Sequence, residues 1–442
     1  ILLPANLVGN RASLYYGRMT AIYCTALGCK LNQAEVEALQ RRAASRGWTL
    51  ASSPAEANWA LVNTCAVTHT AEQKSRQAIR RLQRLNPAIR IALTGCYATL
   101  SPDVLQGLPG VELVLDNAGK ASALDAIARY AAPVLAPASA PRLTAHTRAL
   151  VKIQDGCDNR CSYCTVCLAR GPQRSTAPEK VLAEVRERLA EGYREVVLTG
   201  VHIGAYGRDA QPGDADGWSL ARLVNHLLKK TDGARLRLSS IEPWDVTDEL
   251  LALWPNPRLC RHLHVPIQSG SDAVLARMQR HYTASYLREM AARIRLLVPG
   301  MALTSDLICG FPGESEADHQ ATLELISGTE LARVHVFTYS ARPGTPAARM
   351  PESVPEPVAQ ARSQELIALG RQFSEHFTES LVGQMAEVLF ESRTPALTGD
   401  FWSGLTDNYV RVYTTSDVPL RNVTAQVRCE DIQQGRLMGV LL

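Results

Sequence analysis

The amino-acid sequence predicts an α/β protein in three parts: an N-terminal domain with a parallel sheet, a partial (β/α)6 barrel, and a small C-terminal antiparallel β-barrel. Strand-like and helix-like segments alternate along most of the chain, which is typical of parallel sheets joined by right-handed crossovers. The alternation is interrupted by AAPVLAPASAP, residues 131–141, which is too rich in alanine and proline for either element. After residue 380 only short β-type runs remain, separated by glycine and polar turns.

The first alternation predicts an N-terminal domain over residues 20–130. Its strands are expected at residues 21–26, 58–63, 90–94 and 111–115, and its helices at 32–46, 69–85, 101–108 and 121–130. Residues 1–19 lack periodicity and are expected to be an N-terminal extension, either a genuine arm or an upstream extension of the reading frame, with the folded part starting at the first methionine, Met19. Residues 131–146 are expected to be a linker.

The second alternation predicts a barrel domain over residues 147–379. Strands are expected at residues 149–153, 195–199, 235–239, 262–266, 303–308 and 334–338, and helices at 178–191, 220–230, 272–279, 284–297 and 316–327. Six such repeats in about 200 residues predict an open or partial barrel. A long polar helix near 358–379 follows. Residues 380–442, with β-type runs at 386–390, 409–413 and 422–428, predict the small barrel.

Composition excludes several classes of protein. Hydrophobic residues make up 46% of the 442 residues and charged residues 20%, as in ordinary globular chains, so a disordered or fibrous chain is excluded. No run of about 18 apolar residues is present, which predicts no membrane span. The net charge of +4 does not by itself establish nucleic-acid binding. The unusual feature is the 11 cysteines, which in a long chain favour metal binding or catalysis over a disulfide scaffold.

The segment GCDNRCSYC contains Cys157, Cys161 and Cys164, separated by three and then two residues. Three thiolates on one loop can bind one face of a four-iron cluster and leave one iron open for a substrate. The loop follows the first predicted barrel strand, at the end where such barrels place their active sites. The alternative is a zinc site completed by Cys167 and a distant ligand, although two-plus-two spacing is the usual zinc pattern.

Three further cysteines, Cys29, Cys65 and Cys96, each follow a predicted strand of the first domain. The carboxyl ends of parallel strands meet at one edge of a sheet, where α/β folds bind ligands. We therefore expect these thiols to converge and to bind a second cluster with one open iron. The alternative is three unrelated thiols that pack as small hydrophobic side chains.

The spacing C-x3-C-x2-C, with Tyr163 before the last cysteine, resembles the signature of the radical S-adenosylmethionine (SAM) family. The resemblance implies that the open iron binds the methionine end of SAM and that an electron from the cluster cleaves SAM to a 5′-deoxyadenosyl radical. LTGVHIGAYG, LRLSSIEP, HVPIQSGSDAVLARMQRHYT and SDLICGFPGES, each at a predicted strand end, resemble SAM-contacting segments, although each alone could be an ordinary loop. The cofactor contacts implied by the resemblance are Tyr163, Thr199, Gly200, Ser240, Glu242, Gln268, Ser269, Gly310 and Phe311.

The order of the three parts resembles the methylthiotransferases over nearly the whole chain from Thr20, and WSGLTDNYVRVY resembles a TRAM domain, an RNA-binding barrel. NTCAVTHTAEQKSR, LTGVHIGAYG and LRLSSIEP resemble the branch that acts on N6-threonylcarbamoyladenosine at tRNA position 37. The resemblance implies two 4Fe–4S clusters and two uses of SAM, one to methylate sulfur and one to activate adenine C2. The alternatives are methylthiolation of isopentenyladenosine or of a ribosomal protein, and a non-catalytic zinc and RNA-binding protein.

The resemblance also implies three partners: tRNA, a flavodoxin- or ferredoxin-like electron donor and a sulfur source. It implies a cytoplasmic enzyme that does not bind a membrane. Basic residues on the helix after Cys65 are candidates for phosphate contact, with a solvated helix face as the alternative. The candidates for RNA binding are Lys74, Arg76, Arg80, Arg81 and Arg84 on this helix and Arg411 in the last domain, where Tyr409 and Tyr413 could stack bases. The remaining cysteines, Cys24, Cys167, Cys260, Cys309 and Cys429, are expected to be packing thiols.

Overall fold

The computed structural model describes residues 20–130, 147–209, 217–394 and 400–442. The predicted N-terminal extension and linker lie outside these residues. The chain divides into two compact units, one of Ile1–Ala66 with Thr70–Leu143 and one of Val67–His69 with Thr144–Leu442. The predicted boundary at residue 379/380 lies within the second unit, so the division into three domains stays a prediction.

The first unit is built on a five-stranded parallel sheet with the order β2-β1-β3-β4-β5. Its strands are β1 Ala21–Ala26, β2 Thr49–Leu50, β3 Trp59–Thr64, β4 Arg90–Gly95 and β5 Val111–Val114. Its helices are α1 Lys30–Ser45, α2 His69–Leu85, α3 Cys96–Leu100, α4 Pro102–Gln106 and α5 Ala123–Ala128. The central strand β3 is buried along its whole length, as expected for a strand of a parallel sheet covered on both faces. The short strand β2 was not predicted from the sequence.

The second unit begins with six parallel strands in two sheets, β10-β9-β6 and β11-β12-β13. Isolated bridges pair Leu236 with Leu259 and Ser240 with His264, which brings β10 beside β11 and makes the six strands one open barrel. The strands are β6 Arg148–Lys152, β9 Glu195–Thr199, β10 Arg235–Leu238, β11 His262–His264, β12 Ala302–Cys309 and β13 Arg333–Thr338. The predicted partial (β/α)6 barrel is therefore confirmed.

Helices cover the outer face of this barrel, and the hydrophobic core lies between the helices and the strands. They are α7 Pro178–Ala190, α8 Leu220–Lys230, α9 Asp248–Leu251, α10 Asp272–Arg277, α11 Ala284–Leu297, α12 Glu316–Thr329 and α13 Glu356–Glu379. In α8, Leu220, Leu223, Val224 and Leu227 are buried on one side, at the spacing of an amphipathic helix. At Gly370 of α13 a Cβ would lie 2.2 Å from a Val334 methyl carbon, so glycine allows this helix to lie close to β13.

A small hairpin that was not predicted separates the first barrel strand from its helix. Its strands are β7 Gln154–Asp155 and β8 Arg174–Ser175, which pair antiparallel, and the short helix α6 Val166–Arg170 lies between them. The chain from residue 156 to residue 173, which carries the three closely spaced cysteines, is therefore held at both ends.

The C-terminal strands form a closed barrel with the order β14-β15-β16-β18-β17. They are β14 Met385–Thr394, β15 Phe401–Thr406, β16 Arg411–Thr414, β17 Thr424–Gln433 and β18 Arg436–Leu441. Four of the pairings are antiparallel, as predicted. The pairing of β16 with β18 is parallel, which the sequence did not indicate. Parallel pairing here closes the barrel because β18 returns from the β17 hairpin in the direction of β16.

Candidate active site

The loop after β6 brings Cys157, Cys161 and Cys164 together, and each sulfur accepts a hydrogen bond. The amide of Asn159 donates to Cys157 Sγ (3.4 Å) and that of Val166 to Cys164 Sγ (3.5 Å). The Arg280 guanidinium donates to Cys161 Sγ. Burial raises the pKa of the Cys157 thiol to about 11 and that of the Cys164 thiol to about 12. Such thiols ionise when a metal cation compensates their charge, so this donor set fits an iron–sulfur cluster.

The loop is held by backbone contacts that allow little change. Gly156 has φ +70°, and a Cβ there would lie 1.9 Å from the Pro172 carbonyl oxygen. Ser162 donates through Oγ to the Arg277 carbonyl (2.7 Å) and through its amide to the Met278 carbonyl (3.1 Å). These contacts join the cysteine loop to the end of α10.

Arg280 was not selected from the sequence, yet it contacts the cysteine loop directly. Its guanidinium donates to Cys161 Sγ (3.2 Å) and forms an ion pair with Glu242. Its planar group lies 4.9 Å from the centroid of the Trp244 ring and 5.1 Å from that of Tyr282. Arg280 lies within HVPIQSGSDAVLARMQRHYT, the segment from which only Gln268 and Ser269 were selected as polar candidates. Glu242, predicted to contact SAM, thus orients an arginine that hydrogen-bonds Cys161 Sγ.

Gln154 was also missed, and it connects the cysteine loop to the segment after β9. Its Nε2 donates to the Gly156 carbonyl (2.8 Å). Its Oε1 accepts from the amides of Val201 (3.0 Å) and His202 (2.8 Å). A Cβ at Gly200 would lie 2.8 Å from the Gln154 carbonyl oxygen, so glycine is required for this close approach.

The other predicted cofactor contacts are found at the ends of barrel strands. Thr199 is buried at the end of β9, and Ser240 is exposed after β10. Gln268 has φ +64°, and its backbone bonds to β12 at the Asp306 carbonyl (2.9 Å). The Ser269 hydroxyl is buried, 3.3 Å from that of Thr322 in α12.

Tyr163, Gly310 and Phe311 meet beside the loop. The rings of Tyr163 and Phe311 contact edge to face, with centroids 6.5 Å apart, and burial raises the Tyr163 pKa well above its ordinary value. Gly310 has φ +72°, and a Cβ there would lie 2.6 Å from the Ala359 Cβ. Its amide donates to the buried carboxylate of Glu314. Contact of any of these residues with SAM stays a prediction.

In the first unit Cys29, Cys65 and Cys96 follow β1, β3 and β4, which are neighbours in the sheet. Cys29 is the N-cap of α1, and Cys96 is the first residue of α3. Gly28 has φ +88°, and a Cβ there would lie 2.5 Å from Cys65 Sγ, so the loop after β1 lies directly against the loop after β3. The expected convergence at one sheet edge therefore agrees with the fold, and the thiol donor set fits a cluster.

The predicted RNA contacts differ in their surroundings. Lys74, Arg80, Arg81 and Arg84 are exposed on α2, whereas Arg76 donates to the Tyr97 hydroxyl (2.6 Å). Arg80 and Arg84 line an open groove of about 540 Å³.

In the C-terminal barrel, Arg411 donates to Glu391 (2.9 Å) and lines a cavity of about 480 Å³. Tyr413 lines the same cavity. The Tyr409 hydroxyl accepts from Arg148 (2.9 Å), and its ring is covered by Arg237 at 4.7 Å. Tyr409 thereby joins the partial barrel to the small barrel, a role that alternation along a strand could not indicate.

The remaining cysteines make local contacts. Cys167 Sγ donates to the Cys164 carbonyl (3.8 Å), and Cys309 Sγ to the carbonyls of Phe337 (3.5 Å) and Ala359 (3.6 Å). Cys260 and Cys429 are buried in the core. Among the residues that the structure describes, none of the helices has both the length and the apolar character needed to cross a bilayer.

A six-stranded parallel barrel with three thiols on its first loop defines a radical SAM protein. Residues 151–326 match the Radical SAM superfamily, and residues 21–116 match a family described as uncharacterized protein family UPF0004. The fold is similar to that of the radical S-adenosylmethionine methyltransferase TsrM from Kitasatospora setae, with a TM-score of 0.54 and 14% identity. That similarity covers 75% of this chain and 77% of TsrM.

Full-length relatives identify the family within this class. The chain is 37% identical to the threonylcarbamoyladenosine tRNA methylthiotransferase MtaB of Bacillus subtilis strain 168, over 89% of this chain and 90% of the relative. It is 38% identical to MtaB of Thermotoga maritima, over 84% and 87%. It is 32% identical to the tRNA-2-methylthio-N(6)-dimethylallyladenosine synthase of Desulfitobacterium hafniense strain Y51, over 94% and 96%. The chain belongs to the radical SAM methylthiotransferases, which confirms the predicted enzyme class and the predicted cofactors, 4Fe–4S clusters and SAM.

Proposed function

We propose that this enzyme attaches a methylthio group to C2 of N6-threonylcarbamoyladenosine at position 37 of tRNA. The observation that carries the proposal is the identity of 37% and 38% to two relatives named for this nucleoside, against 32% and 33% for dimethylallyladenosine synthases. Two further relatives named for the same nucleoside are 34% and 32% identical. The motifs NTCAVTHTAEQKSR, LTGVHIGAYG and LRLSSIEP resemble the same threonylcarbamoyladenosine branch and support the proposal.

The chemistry of the target explains why thiol-rich sites are needed. The C2–H bond of adenine is too weakly acidic for an ordinary general base, so its hydrogen must leave by one-electron chemistry. A reduced 4Fe–4S cluster with bound SAM supplies that chemistry. We assign the cluster to Cys157, Cys161 and Cys164, with Arg280 as the positioning residue through its bond to Cys161 Sγ (3.2 Å).

A second cluster, held by Cys29, Cys65 and Cys96, would supply the sulfur. The contacts that support this assignment are the position of each thiol after neighbouring parallel strands and the close approach of Gly28 to Cys65 Sγ. An external sulfur source and a flavodoxin- or ferredoxin-like electron donor stay predicted partners.

Binding of tRNA is proposed to use the exposed basic side chains of α2. Arg80 and Arg84 are one helical turn apart and line one groove, an arrangement that suits bidentate contact with successive phosphates. The target base has to leave its stack to reach the thiol loop, at a cost of a few kcal/mol. Arg411 and Tyr413, which line one cavity of the C-terminal barrel, are a second, smaller candidate contact with tRNA.

The substrate is tested by mass spectrometry of tRNA nucleosides from a deletion strain. The expected result is loss of the methylthio derivative of threonylcarbamoyladenosine, restored by the wild-type gene and not by Cys161→Ala. Loss of the methylthio derivative of isopentenyladenosine instead would assign the enzyme to the other branch. An unchanged nucleoside pool would favour a ribosomal-protein substrate.

The metal content separates the iron assignment from the zinc alternative. After anaerobic reconstitution we expect about eight irons per chain, from two four-iron clusters. Cys161→Ala should lose about half of this iron, because only one cluster uses that ligand. Cys167→Ala is the matched control: its thiol is on the same loop but hydrogen-bonds a carbonyl (3.8 Å), so its iron content should be unchanged. If the protein binds zinc and no iron, and the zinc is lost in Cys167→Ala, the assignment of an iron–sulfur cluster to this loop is refuted.

A further inference from the structure

Two histidines and a carboxylate form a cluster on the face of the partial barrel opposite the core that packs under the helices. Leu263 and Leu307 belong to the core packed under the helices. Side chains alternate across a strand, so His264 and Asp306, the neighbours of these leucines, lie on the opposite, open face. His335 of β13 is the direct partner of Asp306 in the parallel register.

The three side chains converge on one point. His264 Nε2 lies 3.3 Å from Asp306 Oδ2, and His335 Nδ1 lies 3.2 Å from Asp306 Oδ1. The three ligand atoms all lie within 4.8 Å of one another. A zinc-sized ion about 2.0–2.1 Å from each ligand sets neighbouring ligand atoms about 3.0–3.4 Å apart. The two measured separations fall in this range and involve different oxygens of Asp306, so they fit an ion that both carboxylate oxygens face, with one imidazole beside each oxygen.

The hydrogen bonds of His264 orient its ring for a cation. Thr304 Oγ1 lies 3.4 Å from the Leu263 carbonyl, to which it donates, and 2.9 Å from His264 Nδ1. The Thr304 hydroxyl, which also lies 3.3 Å from His262 Nε2, contacts the Nδ1 side of the His264 ring, so that Nε2 faces Asp306. Such an outer hydrogen bond is the usual support of a histidine ligand.

We propose that His264, Asp306 and His335 bind one divalent first-row metal ion of the zinc class. Two imidazoles and one carboxylate are a ligand set for such ions, and three ligands leave coordination positions open. The side chains of the three residues are 14%, 29% and 51% exposed, so an ion can reach them from the open face. The site contains no cysteine and is independent of which nucleoside the enzyme modifies.

The test uses the reconstituted full-length enzyme with Zn²⁺ as the probe. Zinc and iron are measured on the same anaerobic sample after equilibration with zinc sulfate and desalting. We expect one zinc per wild-type chain in addition to the iron, and loss of that zinc in His335→Ala with the iron content unchanged. His335 is half exposed, so its removal leaves the core intact. His376→Ala, an exposed histidine of α13, is the matched control and should keep the zinc.

Two further measurements exclude zinc bound elsewhere. X-ray absorption should show nitrogen and oxygen ligands at about 2.0–2.2 Å, and a sulfur shell at about 2.3 Å would mean capture by cysteines and would overturn the proposal. Thr304→Val, which removes the hydroxyl that holds His264, should weaken zinc affinity about 10- to 100-fold. Equal zinc in the wild type and His335→Ala would also overturn it, leaving Asp306 as a hydrogen-bond acceptor for two imidazoles.

Discussion

Replacement of Glu195 by glutamine is expected to destabilise the second unit by about 3–5 kcal/mol, the usual cost of removing one partner from a buried ion pair. Glu195 is the first residue of β9 and is fully buried. Its oxygens accept from Arg235 Nε (2.6 Å) and Arg237 Nε (2.7 Å), and both arginines are also buried. Glutamine keeps the volume of the side chain but leaves two buried cations without their carboxylate.

The pKa of Glu195 gives a similar magnitude. Burial raises this pKa, but Arg237 and Arg235 outweigh burial and lower it from 4.5 to about 2. At about 1.4 kcal/mol per unit, this lowering corresponds to about 3 kcal/mol. Because the pKa is lower in the folded state, the stabilisation is present above about pH 4.5 and is lost as the pH falls from there toward 2. The difference between the wild type and Glu195→Gln should shrink over the same range.

Urea unfolding of the full chain at pH 7 and pH 3 measures both effects, because most of the pH-dependent loss falls between the two pKa values, 4.5 and about 2. Glu430→Gln is the matched control, because Arg428 and Glu430 form an ion pair of similar length (2.9 Å) but are 55% and 43% exposed, and exposed pairs contribute less than about 1 kcal/mol. Equal stability of the two variants would refute the reasoning. Arg237 also donates to the carbonyls of Thr406 (3.1 Å) and Asp407 (2.9 Å), so the small barrel should unfold together with the partial barrel.

Three further outcomes are expected. Arg280→Met removes the hydrogen bond to Cys161 Sγ and should lower the reduction potential of the cluster, as measured by redox titration, because such bonds stabilise the reduced form. Gly310→Ala should destabilise the protein by about 1–3 kcal/mol in urea, since φ is +72° and the new methyl group meets α13. Replacing both Arg80 and Arg84 by alanine should weaken tRNA binding. The slope of log affinity against log salt concentration should fall by the amount expected for the loss of about two phosphate contacts.

Each of these outcomes has its own control. Arg280→Lys keeps the charge, so its reduction potential should fall less than that of Arg280→Met. An unchanged potential in Arg280→Met would contradict the role of the guanidinium. Gly192→Ala, also at positive φ (+91°) but with open space around its Cβ, should cost less than Gly310→Ala. Arg288→Ala, an exposed arginine of α11, should leave tRNA affinity and its salt dependence unchanged.

The sequence predicted the elements that depend on local pattern. The helices His69–Leu85, Leu220–Lys230 and Ala284–Leu297 and the strand Glu195–Thr199 have the predicted bounds, because apolar periodicity and capping residues operate within one element. The alternation of strands and helices also predicted that cysteines after neighbouring strands would share a sheet edge, since parallel crossovers have one handedness. The family resemblance was carried by motifs contiguous in the chain.

Contacts between distant residues followed from the fold alone. Arg280 reaches Cys161 across 119 positions, and Tyr409 contacts Arg148 across 261, so no local pattern could pair them. The cluster of His264, Asp306 and His335 likewise requires the register of three strands. Periodicity tells which face of a strand a side chain occupies, whereas the partner across that face is set by how the strands pair. The chemistry of the cysteine loop could therefore be recognised in the sequence, but the groups that orient and polarise it required the folded chain.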